Sequence, residues 1–181
     1  RWLDTIVAFT PGSGARVVAH LPTPLRYAAV GSVAGVLVIA GGSTPSERAT
    51  TPVYEFEPRT NTVSRVGDLP SALTHASAAS AGGEVLVVGG QDPGRNAVDT
   101  IIAITPHARR IRAAGHLLAP RSDAGVVRVG TSVWVIGGHN ETGTLGSVST
   151  LLASKPAGET NVYAHDGVNA LGPVAKRARS L

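Results

Sequence analysis

Short apolar runs closed by a breaker recur along this chain at one interval. Val36-Leu37-Val38-Ile39-Ala40, Val85-Leu86-Val87-Val88 and Val133-Trp134-Val135-Ile136 each run into a double glycine, and the pairs Gly41-Gly42, Gly89-Gly90 and Gly137-Gly138 stand 48 residues apart each time. Runs this short and this rich in β-branched residues do not suit helices, and a glycine pair ends each one, so they predict buried strands.

Four further segments travel with the glycines. Ahead of each run lies a proline-bearing stretch: Leu21-Pro22-Thr23-Pro24-Leu25-Arg26-Tyr27-Ala28, Leu69-Pro70-Ser71-Ala72-Leu73-Thr74-His75-Ala76, and Leu117-Leu118-Ala119-Pro120-Arg121-Ser122-Asp123-Ala124. It reads as a turn and an entry strand, with proline ending the strand before it and small residues allowing close packing. After each glycine pair comes a polar loop, at Ser43 to Thr50, Gln91 to Ala97 and His139 to Thr144. A third strand then stops at proline (Ile6 to Pro11, Val53 to Pro58, Ile101 to Pro106), and a more polar fourth strand follows at Thr62 to Val66 and Arg110 to Ala114. Charge on that last strand fits an outer edge, where it blocks unwanted pairing.

Four strands per 48 residues predict an all-β chain, a β-propeller of four-stranded blades. The order of proline-turn strand, hydrophobic strand with Gly-Gly, polar loop and strand ending at Asp/Glu-Pro or its like resembles kelch repeats. The resemblance covers Leu3 to Ala153 and departs where kelch repeats carry an aromatic in the fourth strand, here Val63 and Ile111, and where Phe9 and Phe56 give way to Ile104. The divisions read from it are a partial blade at 1–20 holding only third and fourth strands, blades at 26–68, 74–115 and 122–160, and an irregular tail at 161–181 in which Pro173 to Leu181 suits the entry strand of a next blade. That makes about 3.8 repeats of 48 residues, against the four to eight blades of a closed ring, so the expectation is part of a larger propeller. The remaining blades are then expected from the same polypeptide, a partner chain or self-association.

Composition narrows function by exclusion. With 43% hydrophobic residues the chain can bury a core, and no apolar run approaches the roughly 18 residues of a membrane helix, so direct membrane insertion is not expected. The opening Arg1-Trp2-Leu3-Asp4 lacks the pattern of a signal peptide and suits a mature or excised segment. There is no Cys, hence no disulfide and no thiolate chemistry. Some propellers with kelch-like repeats are copper radical oxidases of the galactose oxidase type, whose cofactor joins a tyrosine to a cysteine, and this chain cannot build it. The sequence pI is about 10.1, yet the net charge is only +4 and the arginines are scattered. The densest groups, Arg109-Arg110 with Arg112 and Lys176-Arg177-Ala178-Arg179, read as solvated faces, and with 4% aromatic residues there is no stacking platform, so no nucleic-acid partner is expected. Lysine appears only at Lys155 and Lys176, which with abundant Ala and Gly suggests a GC-rich bacterial source. For bacterial kelch-like propellers the resemblance implies an extracytoplasmic or cell-surface location.

Motifs for phosphate transfer (GxxxxGK[ST], GxGxxG) and the GxSxG elbow are absent, and Gly12-Ser13-Gly14 reads as a turn between outer strands. His20, His75, His107, His116, His139 and His165 show no HxH or HExxH spacing, so no metal and no cofactor are expected. Tyr27, His75 and Asp123 share one repeat position on the innermost strand and are predicted to line a central channel. The loops after the glycines emerge on one face, and Glu47, Arg48, Gln91, Asp92, Arg95, His139, Asn140 and Glu141 are the candidate ligand-binding residues. The function expected is a non-catalytic recognition or scaffold module for a protein or a polar ligand, carbohydrate included, with no catalytic residue assigned. The alternative is a carbohydrate-active or lyase-type enzyme at the channel mouth that draws acid and base groups from His75 and Asp123.

Overall fold

The computed structural model of the chain describes residues 1–154 and 161–166. They form consecutive antiparallel sheets. The first holds β1 (Leu3–Thr10) and β2 (Gly14–Leu25). The second holds β3 (Ala29–Val33), β4 (Val36–Ala40), β5 (Thr50–Glu57) and β6 (Thr62–Leu73) in that order. The third repeats it with β7 (Ser77–Ala81), β8 (Glu84–Val88), β9 (Thr100–Thr105) and β10 (Arg110–His116). In the fourth, β11 (Gly125–Val129) and β12 (Ser132–Ile136) are followed by a small hairpin, β13 (His139–Asn140) with β14 (Gly143–Thr144), and then by β15 (Val148–Ser154) and β16 (Asn161–Asp166). Among the described residues there is no helix long and apolar enough to cross a membrane.

Each sheet packs on the next, and the apolar runs are explained by that stacking. Successive side chains of a strand point to opposite faces. Along β8, Val85 and Val87 join Val38, Ala40 and Val53 of the second sheet, whereas Leu86 and Val88 join Val133, Val135 and Leu151 of the fourth. A strand covered on both faces needs apolar residues at every position, and Val85 to Val88 are all buried. The layer between the first and second sheets is built from Ile39, Tyr54 and Phe56 against Ile6, Val18, Ala19 and Leu21.

The first two glycine pairs tie each repeat to the segment that leads into the next. Gly42 N donates to Leu73 O at 2.8 Å, and Gly90 N to Arg121 O at 2.8 Å, in each case the carbonyl of the following repeat. Both glycines of each pair have positive φ, +61° and +109° at Gly89 and Gly90. A Cβ on Gly90 would lie 2.8 Å from Thr74 O and from Ala76 Cβ, and one on Gly89 would strike the Arg121 carbonyl. Only glycine admits both the conformation and the approach.

Three expectations change. The prolines do not end the preceding strand: β2 runs through Pro22 and Pro24, and β6 through Pro70. Those strands are paired on one side only, and register shifts between Leu3 and Thr5 and between Thr50 and Pro52 place the prolines in bulges, where no ladder N–H is required. The outer strand of the fourth sheet lies within the segment 161–181 expected to be an irregular tail: Ser149 pairs with Asp166 and Ser154 with Asn161, because β15 offers a free edge long enough to hold a further strand. The expectations for Pro173 to Leu181 and for Lys176 to Arg179 lie outside the described residues. Arg112 is not part of a solvated patch. Past its small cross-strand neighbour Ala103 its guanidinium reaches Glu84, with Nη2 to Oε2 at 2.8 Å and side-chain exposures of 16% and 13%.

Candidate functional site

Ahead of each inner strand the backbone makes the same unusual step. Tyr27, His75 and Asp123 have φ of +57°, +55° and +53°, values uncommon for residues other than glycine. His75 N donates to Tyr27 O at 3.1 Å and Asp123 N to His75 O at 3.0 Å, so the three positions form a row crossing the second, third and fourth sheets. The side chains follow the row. The Tyr27 and His75 rings stack with centroids 3.9 Å apart, and the Arg26 guanidinium lies over the Tyr27 ring at 4.4 Å and the Trp2 ring at 4.7 Å.

The residue before each of these ties down a loop. Arg26 pairs with Ser43, Thr74 with Gln91 and Ser122 with His139 through reciprocal backbone hydrogen bonds. The first two loops then fold alike: Glu47 N donates to Thr44 O and Arg95 N to Asp92 O, and Asp92 turns its carboxylate inward to accept from Asn96 N at 2.9 Å. The Asn96 side-chain amide first, and its backbone N–H second, hold the Asp92 carboxyl below its ordinary range. Glu47 and Arg95, at equal places in the two loops, meet across the gap with Nη2 3.6 Å from Oε2.

Beneath that pair is a cavity of about 420 Å³ between the second and third sheets. Arg26, Tyr27, Ser43 and Glu47 line it from one sheet, and Thr74, His75, Gln91, Asp92 and Arg95 from the other. Three buried polar atoms of this lining have no hydrogen-bond partner: Arg26 Nε, Thr74 Oγ1 and His75 Nδ1. Burial holds the His75 imidazole below its ordinary pKa, Asp123 opposes the shift, and Arg26 and His139 reinforce it, so the ring is neutral at pH 7. Buried polar atoms are normally paired, and a group of unpaired ones around a cavity marks a place where a partner is expected.

The structure therefore gathers Glu47, Gln91, Asp92, Arg95, Tyr27 and His75 around one cavity. Arg48 is not part of the lining, and its carbonyl accepts from Thr44 N at 3.1 Å to close the loop. Asp123, His139, Asn140 and Glu141 belong to the next junction, where His139, Asn140 and Glu141 hydrogen-bond within the chain and Asp123 faces His139. Gln91 Nε2 donates to Ser122 Oγ at 3.3 Å, Ser122 Oγ lies 3.2 Å from His139 Nε2, and His139 Nδ1 stands 3.6 Å from Asp123 Oδ2. Asn140 Nδ2 donates to Pro120 O, and Glu141 Oε1 accepts from Ala97 N at 2.9 Å. Ser122, His139 and Asp123 have the connectivity of a nucleophilic triad, but Ser122 is 1% exposed and the His–Asp separation exceeds a hydrogen bond. An acyl group cannot approach that hydroxyl, and the arrangement is structural. Among the described residues no three His, Asp or Glu side chains gather closely enough to hold a metal ion.

Sequence reading passed over Arg26, Ser43 and Thr74. The signal for them was present: Arg26 and Thr74 precede the Tyr27 and His75 column by one residue, and Ser43 shares the repeat position of Gln91.

No protein-family model matches the chain, and no curated protein does. A solved structure of YjhT has a similar fold. The two superpose with a TM-score of 0.70 at 16% sequence identity, over 86% of this chain and 56% of that one. The chain thus spans a little more than half the length of YjhT, and at this identity the likeness concerns fold alone.

Proposed function

We propose that the stacked sheets are successive blades of a kelch-type propeller and that the chain is a recognition module whose ligand site is the cavity between its second and third sheets. Support for the propeller comes from the 48-residue recurrence together with the sheet-to-sheet stacking, each innermost strand lying beside the next. The first sheet fits this reading as the outer half of a blade. Phe9 is 71% exposed there, while Phe56 at the same repeat position is 4% exposed because the first sheet packs over it. A sheet stacked ahead of the first, from elsewhere in the polypeptide or from a partner, would cover Phe9 and Val7 in the same way.

The single observation that carries the binding reading is the cavity of about 420 Å³ with three unpaired buried polar atoms in its lining. That volume falls in the range of small-ligand sites. The catalytic alternative gains less from the geometry, since His75 Nδ1 is enclosed and Asp123 is turned toward His139. The test is a titration of polar small molecules, sugars and polyols among them, followed by NMR or calorimetry. Binding that is lost in His75→Ala and Gln91→Ala while His116→Ala leaves it unchanged is the expected result. Retention of binding in both cavity variants moves the site elsewhere.

A further inference from the structure

Resting on that reading of the cavity, we infer that its ligand carries a small oxoanion, a carboxylate or phosphate, and that the Glu47 carboxylate stands in for it on Arg95 when the cavity is empty. The lining is rich in donors and poor in free acceptors. Arginine offers only donors and stays charged, and two arginines border this cavity. Among the described residues no carboxylate lies within ion-pair distance of Arg26, whose charge rests on the Trp2 and Tyr27 rings with Nε unpaired. Thr74, only 8% exposed, adds an unpartnered hydroxyl.

The acidic residues nearby do not neutralise that charge. The Asp92 carboxylate is engaged by Asn96 through three contacts within its own loop. Glu47 alone faces an arginine, at 3.6 Å with side-chain exposures of 59% and 79%, a separation and solvation at which an ion pair is weak and readily exchanged. Glu47 sits at the tip of an exposed loop with φ of +57° and makes no hydrogen bond that fixes its carboxylate, so it can swing away and leave Arg95 to an incoming anion. A bound oxoanion would gain charge-assisted bonds from guanidinium groups, which are about twice as strong as neutral ones.

The experiment is calorimetric titration of the full-length polypeptide with citrate, inorganic phosphate and myo-inositol as the neutral probe, at low and high salt. At least one anion is expected to bind more tightly than inositol, with affinity falling as salt rises. Binding of citrate without phosphate assigns a carboxylate, and the reverse assigns a phosphate. Arg26→Gln should weaken the anion by roughly 10-fold and Glu47→Gln should tighten it by about 3-fold or more, opposite signs that a general loss of structure cannot produce. Because Glu47 is exposed, its variant tests the idea even where Arg26→Gln fails to fold. Anion affinity that Glu47→Gln leaves unchanged or weakens overturns the inference. Inositol binding that depends on His75 without any preference for anions also overturns it while leaving the recognition site in place, and the absence of binding by all three together with the wider polar set removes both.

Discussion

At the junction of the second and third sheets, Ser43 and Pro93 occupy the repeat positions that Gln91 and Glu141 hold at the junction of the third and fourth. The difference in reach decides what each junction becomes. Gln91 crosses to the Ser122 hydroxyl and Glu141 to the Ala97 amide, so the second junction is filled by its own side chains. Ser43 is too short to cross and bonds back to Arg26 O, and proline has no polar side chain to extend. Thr74, the counterpart of Ser122, is left with an unpartnered hydroxyl beside an open cavity. The backbone plan is common to both, and an open cavity arises where the repeat is populated by shorter side chains.

The backbone that the two junctions share carries the largest effect expected of a single substitution. Gly90→Ala forces a Cβ to within 2.8 Å of Thr74 O at a φ of +109°, and Gly90 N is the donor that holds Arg121 O in the segment leading into β11. Strain together with the displaced carbonyl is expected to destabilise by roughly 2–4 kcal/mol. Urea unfolding measures it, and a loss below about 1 kcal/mol would mean that the glycine pair does not hold one repeat to the next.

The paired hydroxyls give a finer contrast. Ser122→Ala removes the acceptor of Gln91 and the neighbour of His139 in a closed site, which should cost about 1–2 kcal/mol. Thr74→Val replaces a buried hydroxyl that has no partner by a methyl of nearly the same shape, and stability is expected to be unchanged or to rise by up to about 1 kcal/mol. Opposite signs at equivalent positions are the expected outcome. Equal losses would show that Thr74 is paired in solution and that the two junctions are alike.

Strand identity was legible because both faces of β4 and β8 meet another sheet, which makes the apolar runs continuous and their glycine stops conspicuous. The prolines misled, since at Pro22 and Pro70 an unpaired outer strand tolerates a residue that an inner one would reject. At the site, the repeat column of Tyr27, His75 and Asp123 and the loop residues Glu47, Gln91, Asp92 and Arg95 were visible by position. That they converge on one cavity, while His139, Asn140 and Glu141 serve the chain itself, depends on side-chain lengths across a junction between residues some 48 apart, and no local pattern encodes that. Arg112 escaped for the same reason, as its partner Glu84 is two strands away.

The smallest effect expected is acid sensitivity of the open junction. His75 has a pKa lowered from 6.5 by burial first, with Asp123 opposing and with Arg26 and His139 adding to the shift. The imidazole therefore takes a proton less readily in the folded chain than in the unfolded one, so the unfolded state binds more protons as the pH drops. The stability tied to a neutral His75 is fully present above about pH 6.5 and is lost as the pH falls through the lower folded value. Unfolding followed between about pH 8 and pH 5 should show a decline that His75→Gln reduces. Because Asp123 raises the His75 pKa, Asp123→Asn should depress it further and steepen that component, which an NMR titration of the His75 ring reads directly. A His75 ring that titrates at 6.5 or above in the folded chain would mean that the Tyr27–His75 stack is hydrated, and the two junctions would then differ in their loops but not in their burial.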